Sequence, residues 1–141
     1  QWMWLEKTLK IKADVVILIS SIQVLPTEHG YEKWSLFPNE MKRLIANIKN
    51  INARTIIISG DRHKAAIYND NNLFEVTSSS MNRPIKANVI MRADETDALM
   101  VGKVFNKENY GLLVIDSKLK TLQMSIKNID GNVVSSVDLK L

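Results

Sequence analysis

Asp61 and His63 are the residues of this chain whose types and spacing best suit chemistry. They stand two positions apart in the stretch IIISGDRHK, in which three β-branched apolar residues are followed by a serine and a glycine. On an extended backbone such residues point to the same side, so a carboxylate oxygen and an imidazole nitrogen could converge on one ion. Zinc, iron and manganese bind this pair of ligand types. Gly60 would let the chain turn sharply off the strand.

A polar turn is the alternative interpretation of the same stretch. Gly-Asp-x-His is a short pattern, and its residue types are common in turns, where an aspartate caps backbone N–H groups. The later stretch Ser78–Ser80 has two interpretations of the same kind, as donors to a phosphate or as a serine-rich turn. The residues alone favour a turn in both places and leave the site interpretation open.

A second candidate loop holds Glu28, His29, Glu32 and Trp34 within seven positions. The chain has two histidines, His29 and His63, and both fall in loops predicted to follow strands. Ligands of open α/β sheets bind beyond the carboxyl ends of the strands, where such loops gather. Glu28 and His29 are therefore candidates for a place near a site, although a solvated surface histidine is the simpler interpretation. Trp34 is expected to pack or to form the wall of a pocket.

Apolar patterns predict the elements that position these loops. Continuous apolar runs at 15–19 and 55–58 are typical of strands that are buried on both faces of a parallel sheet. Apolar residues at helical spacing predict a helix over 1–10 and another from Pro38 to about residue 49. The first sixty residues therefore alternate helix, strand, loop, helix and strand, which is the order of an α/β fold.

The second half of the chain has a different pattern. A short strand is predicted at 73–77 and a loop at 81–96. From Tyr110 onward, apolar and polar residues alternate, with a turn at 116–118 and a hairpin signal at Asp130-Gly131. This pattern predicts an antiparallel β-meander at the end of a mixed α/β domain.

Composition excludes several classes of protein. A length of 141 residues suits one domain with a single core. The net charge of +4 comes from scattered residues with no aromatic-interleaved basic stripe, so nucleic-acid binding is not expected. The absence of cysteine excludes disulfides and thiolate metal sites within the chain. No apolar run reaches the roughly 20 residues that span a bilayer, so no transmembrane segment is expected.

Five stretches of the chain are similar, in their order and spacing, to one known family. They are QWMWLEKTL, SSIQVLPTEHGYEKWSLFPNEMKRLI, IIISGDRHKAAIY, LFEVTSSSMNRP and ENYGLLVID. Together they extend from Gln1 to about Asp116. The chain thus resembles the C-terminal portion of the PhoD-like metallophosphatases, the alkaline phosphatase D family of the calcineurin-like metallophosphoesterase superfamily.

The resemblance implies a fold and an activity. It implies a β-sandwich flanked by helices, with residues 1–141 as a single domain that forms its C-terminal half. It also implies two metal ions, among Fe, Ca, Zn, Mn and Mg, that activate water to hydrolyse mono- or diesters of phosphate. The expected partner is thus a small-molecule phosphate ester, and an exported location is favoured because many relatives are exported.

Residue by residue, the resemblance assigns roles to the two candidate loops. Asp61 and His63 match the late Gly-Asp-x-His metal motif of the family. Glu28 and His29 match the loop that approaches the site and are candidates for the substrate pocket. Arg62 could face a phosphate as a planar donor, or it could point away from the site between the two ligands.

The chain also departs from the family, whose earlier metal ligands lie on an N-terminal half that has no counterpart here. Two ligands do not hold a binuclear centre, so we expect the chain to be inactive or nearly so alone. A non-catalytic α/β binding or scaffolding module is the alternative. Without the neighbouring strands, an uncovered apolar surface or sheet edge is expected, and with it a homodimer or poor solubility.

Overall fold

The computed structural model describes residues 1–84 and 95–141, which form two helices, one short 3₁₀ helix and eight strands. The elements are α1 (Trp2–Thr8), β1 (Val15–Ile19), the 3₁₀ helix (Trp34–Leu36), α2 (Pro38–Lys49), β2 (Arg54–Ser59), β3 (Ala65–Asp70), β4 (Leu73–Ser78), β5 (Met100–Phe105), β6 (Asn109–Asp116), β7 (Thr121–Asn128) and β8 (Val133–Lys140). Within the described residues, no helix combines the length and the apolar character that a bilayer crossing requires.

The larger sheet has five strands in the order β1-β2-β4-β3-β5. Strands β1, β2 and β4 run parallel, whereas β3 is antiparallel to both β4 and β5. A tight turn at Asn71 and Asn72, both with positive φ, joins β3 to β4. Because β1, β2 and β4 are parallel, the loops that follow them leave from the same edge of the sheet.

The smaller sheet is the antiparallel meander β6-β7-β8, which confirms the prediction for the end of the chain. Gly131 has φ +82 in the predicted hairpin turn, a left-handed conformation that glycine adopts without a Cβ penalty. Leu122, Met124 and Ile126 lie on one face of the central strand β7 and are fully buried. The predicted alternation of apolar and polar residues along β7 therefore corresponds to its buried and outward faces.

Two hydrophobic cores lie on opposite faces of the larger sheet, because side chains alternate along its strands. On β2, for example, Ile57 packs toward the helices and Ile56 toward the smaller sheet. The helix-side core contains Val24, Leu25, Leu44, Ile48, Ile57, Ala66, Tyr68 and Leu73. The core between the sheets contains Ile56, Ala65, Ile67, Phe74, Val76, Leu122, Met124 and Ile126. The chain is thus a mixed α/β structure with two sheets, as predicted for its fold class.

Most of the predicted elements are present, but two strands were not predicted. Both helices, β1, β2, β4 and the meander lie where the patterns place them. β3 begins with Ala65 and Ala66, which are weak strand formers, directly after a polar turn, so its sequence carries little strand signal. β5 contains Gly102 and was also missed. Residues 85–94 of the predicted 81–96 loop lie outside the described residues.

The environment of β1 differs from the prediction that it is buried on both faces. β1 is an edge strand of the larger sheet, and Ile17 and Ile19 are 42% and 79% exposed. Ile17 is paired with Ile56 and so lies on the face toward the smaller sheet, but unlike Ile56 neither Ile17 nor Ile19 belongs to the core between the sheets. A groove of about 560 Å³ runs beside this edge, and its walls include Trp4, Ile19 and Phe37. The side chains of Trp4 and Phe37 are themselves 68% and 49% exposed.

We predict that the 141-residue chain self-associates through this edge, because unpaired strand groups beside apolar side chains are a pairing surface. Ile19→Lys should weaken the association by at least about tenfold, or ~1.4 kcal/mol, as measured by sedimentation velocity over a dilution series. Leu119→Lys is the matched control, since Leu119 is 73% exposed on a turn of the smaller sheet. A wild-type chain that sediments as a monomer at every concentration would contradict the prediction.

Candidate functional site

The Gly-Asp-Arg-His turn lies at the edge of the sheet where β1, β2 and β4 end. A Cβ atom placed on Gly60 would be 3.7 Å from the carbonyl oxygen of Ser21 and 3.7 Å from the Cβ of Ser79. The loops that follow the three parallel strands are therefore adjacent at this point. In open α/β sheets this edge is the usual location of a ligand site.

Asp61 and His63 have left-handed backbone conformations, with φ of 61° and 53°. The expected geometry was different, with an extended backbone at both residues and a turn made by Gly60. Gly60 is not among the residues with positive φ, so the turn is made by the two candidate ligands themselves. Such conformations cost about 1–3 kcal/mol each in residues other than glycine, and they persist where surrounding structure enforces them.

Ser79 is the residue that enforces this turn. Its hydroxyl accepts a hydrogen bond from the Arg62 N–H at 3.0 Å and donates to the Lys64 carbonyl at 3.2 Å. The hydroxyl of Ser78 donates to Asn109 Oδ1 at 2.8 Å and so joins the two sheets. The hydroxyls of Ser78 and Ser79 therefore act as structural donors. The predicted turn at 78–80 is not observed, because Ser78 is the last residue of β4 and no turn follows at 79–80.

The side chains of Asp61 and His63 differ in exposure and in partners. Asp61 is exposed, whereas His63 is half-buried with its Nδ1 2.8 Å from the Arg83 carbonyl oxygen. Because a carbonyl only accepts, Nδ1 carries a proton, and in the neutral tautomer the lone pair is therefore on Nε2. Histidines that bind metals are commonly held in this way by a backbone carbonyl. The two side chains thus fit metal ligands in type, and His63 also fits in tautomer.

A complete metal site is not present in the part of the chain that the structure describes. Residues 1–84 and 95–141 contain no group of three or more histidine, cysteine, aspartate or glutamate side chains that could hold an ion. Asp61 and His63 would therefore supply two ligands at most, and an ion would need further groups to complete its coordination.

Arg62 and Lys64 point into the protein, next to the two candidate ligands. Their side chains are 6% and 1% exposed, and both bind the same oxygen, Glu95 Oε2. The distance from Arg62 Nη2 to that oxygen is 2.5 Å. The guanidinium of Arg62 also stacks over the Tyr31 ring, with 4.5 Å between its central carbon and the ring centroid. Arg62 therefore faces an internal carboxylate rather than solvent.

His29 belongs to the same buried cluster. It is 7% exposed, its ring centroid is 6.1 Å from that of Tyr31, and its Nδ1 accepts a hydrogen bond from the Tyr31 N–H at 3.1 Å. Burial, and next the positive charge of Arg62, lower the pKa of His29 to about 4. The structure thus brings His29 and Arg62 together, and the histidine is uncharged at neutral pH.

The remaining residues of the first candidate loop lie away from this cluster or serve packing. Glu28 is exposed, and its backbone N–H donates to Asp97 Oδ2 at 3.2 Å. Glu32 is also exposed. Trp34 donates from Nε1 to Ser20 Oγ at 3.0 Å and meets the Trp2 ring edge to face at 6.4 Å, so it packs as expected.

Glu75 is an important residue that the sequence reasoning missed. It is fully buried on β4, and its carboxylate accepts hydrogen bonds from the backbone N–H groups of Val24 and Leu25 at 3.0 and 2.6 Å and from the Ser59 hydroxyl at 2.5 Å. Burial raises the pKa of Glu75, while these three donors oppose that rise. A charged residue inside the apolar strand sequence LFEVT was the available signal.

A concavity of about 720 Å³ lies at the opposite end of the sheet, where β1, β2 and β4 begin. Asp14, Arg54 and Leu73 are among the residues that line it. Ligands of open α/β sheets bind at the carboxyl ends of the strands, so this concavity is not the candidate site.

Comparisons with known proteins show similarity in structure only. No protein family and no curated protein matches the sequence. GAP50, described as the anchor in the inner membrane complex of Plasmodium, superimposes with a TM-score of 0.78 at 13% identity, covering 99% of this chain and 42% of GAP50. PhoD superimposes with a TM-score of 0.70 at 14% identity, covering 98% of this chain and 31% of PhoD. The fold is PhoD-like.

Because the sequence identities to GAP50 and PhoD are both low, the similarity shows a shared fold and nothing more. The chain spans less than half the length of either structure. The predicted resemblance to PhoD is therefore confirmed for the fold. A sandwich of the metallophosphoesterase type, and the roles of Asp61 and His63, stay predictions.

We predict that Glu75→Gln lowers the free energy of unfolding by about 1–3 kcal/mol, the cost of leaving buried polar groups unsatisfied. The new amide group would place N–H donors against the donors of Val24, Leu25 or Ser59. Urea unfolding followed by circular dichroism measures the loss. Glu32→Gln is the matched control, since Glu32 is exposed in the same region. Equal stabilities for the two variants would show that the carboxylate has no structural role.

We predict that the His29 ring titrates near pH 4 in the folded chain, below its ordinary 6.5. The unfolded chain takes up this proton near 6.5 and the folded chain only near 4, so stability should fall as pH drops through that window. NMR titration of the ring protons measures the pKa, and His29→Gln assigns the signal and should weaken the pH dependence of unfolding. A midpoint near 6.5 would contradict the prediction.

Proposed function

We propose that the protein is a metal-dependent phosphoesterase that hydrolyses small-molecule mono- or diesters of phosphate. In this proposal Asp61 and His63 are two of the metal ligands, at the carboxyl end of β2. The observation that carries it is the orientation of His63, whose Nδ1 is 2.8 Å from the Arg83 carbonyl oxygen. This bond fixes the ring and leaves Nε2 as the ligating nitrogen.

Each ligand has a distinct chemical part. The Asp61 carboxylate would bring a negative charge to the ion, and the neutral His63 imidazole a strong nitrogen ligand. A bound metal pair supplies water activation and stabilisation of charge on the phosphoryl oxygens. Fe, Ca, Zn, Mn and Mg all remain candidates, because one carboxylate and one imidazole do not select among them.

The strained turn supports the same assignment. Two non-glycine residues in left-handed conformations stand within three positions, and both are the candidate ligands. Strain of this kind concentrates at functional sites, where the surrounding structure enforces it. Here the hydroxyl of Ser79 provides that support through its bonds to Arg62 and Lys64.

The remaining ligands must come from outside the described residues, since these contain no group of three or more ligand side chains. The PhoD-like fold supports this view, because the chain covers 31% of PhoD. We therefore expect the 141-residue chain alone to show little or no hydrolysis.

The test uses the complete natural polypeptide in which these residues occur. With added metal it should hydrolyse p-nitrophenyl phosphate or its diester. Asp61→Asn and His63→Gln should each lower the rate by at least about 100-fold, because loss of a ligand weakens metal binding. Elemental analysis of the purified variants should show the accompanying loss of metal.

Asp130→Asn is the matched control, because it makes the same change on an exposed hairpin of the smaller sheet. It should keep full activity and metal content. Wild-type metal content and rate in Asp61→Asn and His63→Gln would overturn the proposed ligands. Hydrolysis by the 141-residue chain alone that Asp61→Asn abolishes would overturn the need for further ligands.

A non-catalytic scaffolding or binding module is the second candidate function. The absence of a three-ligand group among the described residues favours it. So does the structural likeness to GAP50, which is described as an anchor. The same experiment separates the two candidates, because a scaffold would bind no metal through Asp61 and His63 and would hydrolyse no ester.

A further inference from the structure

The buried cluster behind the Gly-Asp-Arg-His turn holds more positive than negative charge among the described residues. Three cations, Arg62, Lys33 and Lys64, and one carboxylate, Glu95, lie within electrostatic reach of His29. The side chains of Arg62 and Lys64 are 6% and 1% exposed. A buried guanidinium is costly unless its N–H groups meet acceptors, so Arg62 in particular calls for anionic oxygen atoms.

Glu95 supplies only part of the oxygen acceptors that the buried donors of the cluster can bind. Its Oε2 binds Arg62 Nη2 at 2.5 Å and also Lys64 Nζ, whereas its Oε1 is buried without a hydrogen-bond partner among residues 1–84 and 95–141. Arg62 Nε is likewise buried, and no described residue hydrogen-bonds to it. Nε–H and an N–H of Nη2 form one edge of the guanidinium, the edge that binds two oxygens of an oxyanion side by side. The carboxylate therefore occupies one half of this two-pronged donor.

His29 adds a second unused donor to the cluster. Its Nδ1 accepts from the Tyr31 N–H at 3.1 Å, so the ring proton lies on Nε2. Nε2 is buried and has no hydrogen-bond partner in the part of the chain that the structure describes. Buried unsatisfied polar groups are rare in native proteins and commonly mark a missing water, ion or functional group. These two unused donors outnumber the one unused oxygen of Glu95, so an oxyanion with more oxygen atoms suits the cluster better than the carboxylate does.

We infer that Arg62, Lys64 and His29 form a binding site for a phosphoryl group, in which the Glu95 carboxylate is the resident anion that phosphate displaces. A tetrahedral phosphate can fill both prongs of Arg62, reach Lys64 and accept from His29 Nε2. The inference deepens the proposed function and rests on it only for the choice of phosphate as the oxyanion. It requires neither the metal ions nor hydrolysis.

The test is a calorimetric titration with inorganic phosphate in the presence of EDTA, at an ionic strength held constant with chloride. Glu95→Gln removes the competing charge and keeps the size of the side chain. We expect its affinity for phosphate to exceed that of the wild type by at least tenfold. Adding Arg62→Gln to Glu95→Gln should abolish that gain. Glu6→Gln is the matched control, because Glu6 pairs with Arg43 at the surface, at 2.7 Å, and it should bind phosphate like the wild type.

A second measurement covers the case in which Glu95→Gln is unstable because two buried cations lose their partner. Recovery of its folding by phosphate, but not by chloride, would support the site. Equal phosphate affinity of Glu95→Gln and the wild type, or equal recovery in chloride, would overturn it, as would an unfolded Glu95→Gln that phosphate does not rescue. Phenyl phosphate, titrated in parallel, distinguishes the sources: binding of both ligands indicates a site open to esters, and binding of inorganic phosphate alone a site for the free ion.

Because the titrations contain EDTA, their outcome is separate from that of the metal and hydrolysis experiments. Glu95-dependent phosphate binding without metal-dependent hydrolysis would support this inference and overturn the proposed phosphoesterase function. Metal-dependent hydrolysis without a Glu95-dependent phosphate affinity would support the proposed phosphoesterase function and overturn the proposed phosphate site.

Discussion

The buried carboxylate of Glu75 is the interaction on which the arrangement of the candidate site depends. It lies on β4 inside the larger sheet and accepts the backbone N–H groups of Val24 and Leu25 and the hydroxyl of Ser59. The loop after β1 is thereby fastened to the ends of β2 and β4. Three donors around one carboxylate repay the desolvation that its burial costs, so the loop has one position on the sheet.

Fixing the loop at Val24 and Leu25 determines where its later residues lie. Gln23 donates to the Thr77 hydroxyl at 2.8 Å, which adds a second buried tie between the loop and β4. From this anchor the chain brings His29 and Tyr31 to the guanidinium of Arg62. The contact between the two candidate loops, which are more than 30 residues apart in sequence, is therefore a consequence of buried hydrogen bonds at the base of the first loop.

The sequence predicts those parts of the fold that follow from periodicity, and it identifies the loops of the candidate site. The apolar runs of β1 and β2 and the alternation of β7 are visible in the residues themselves. The edge position of β1 is not visible, because a residue pattern does not show which neighbours a strand has. Likewise, Asp61 and His63 are identifiable by type, whereas their left-handed backbone depends on Ser79, which is distant in sequence. The Glu95 pairs also depend on long-range contacts.

The left-handed turn explains how one tetrapeptide can serve two chemical environments. Asp61 is exposed and His63 half-buried, while Arg62 and Lys64 between and beside them are buried. An extended strand would also alternate exposed and buried side chains. It would, however, continue the sheet and carry residues 61–64 away from the loop that contains His29. Because the turn stops the strand at Ser59, the cations stay beside Tyr31 and Glu95 and the two potential ligands remain at the sheet edge.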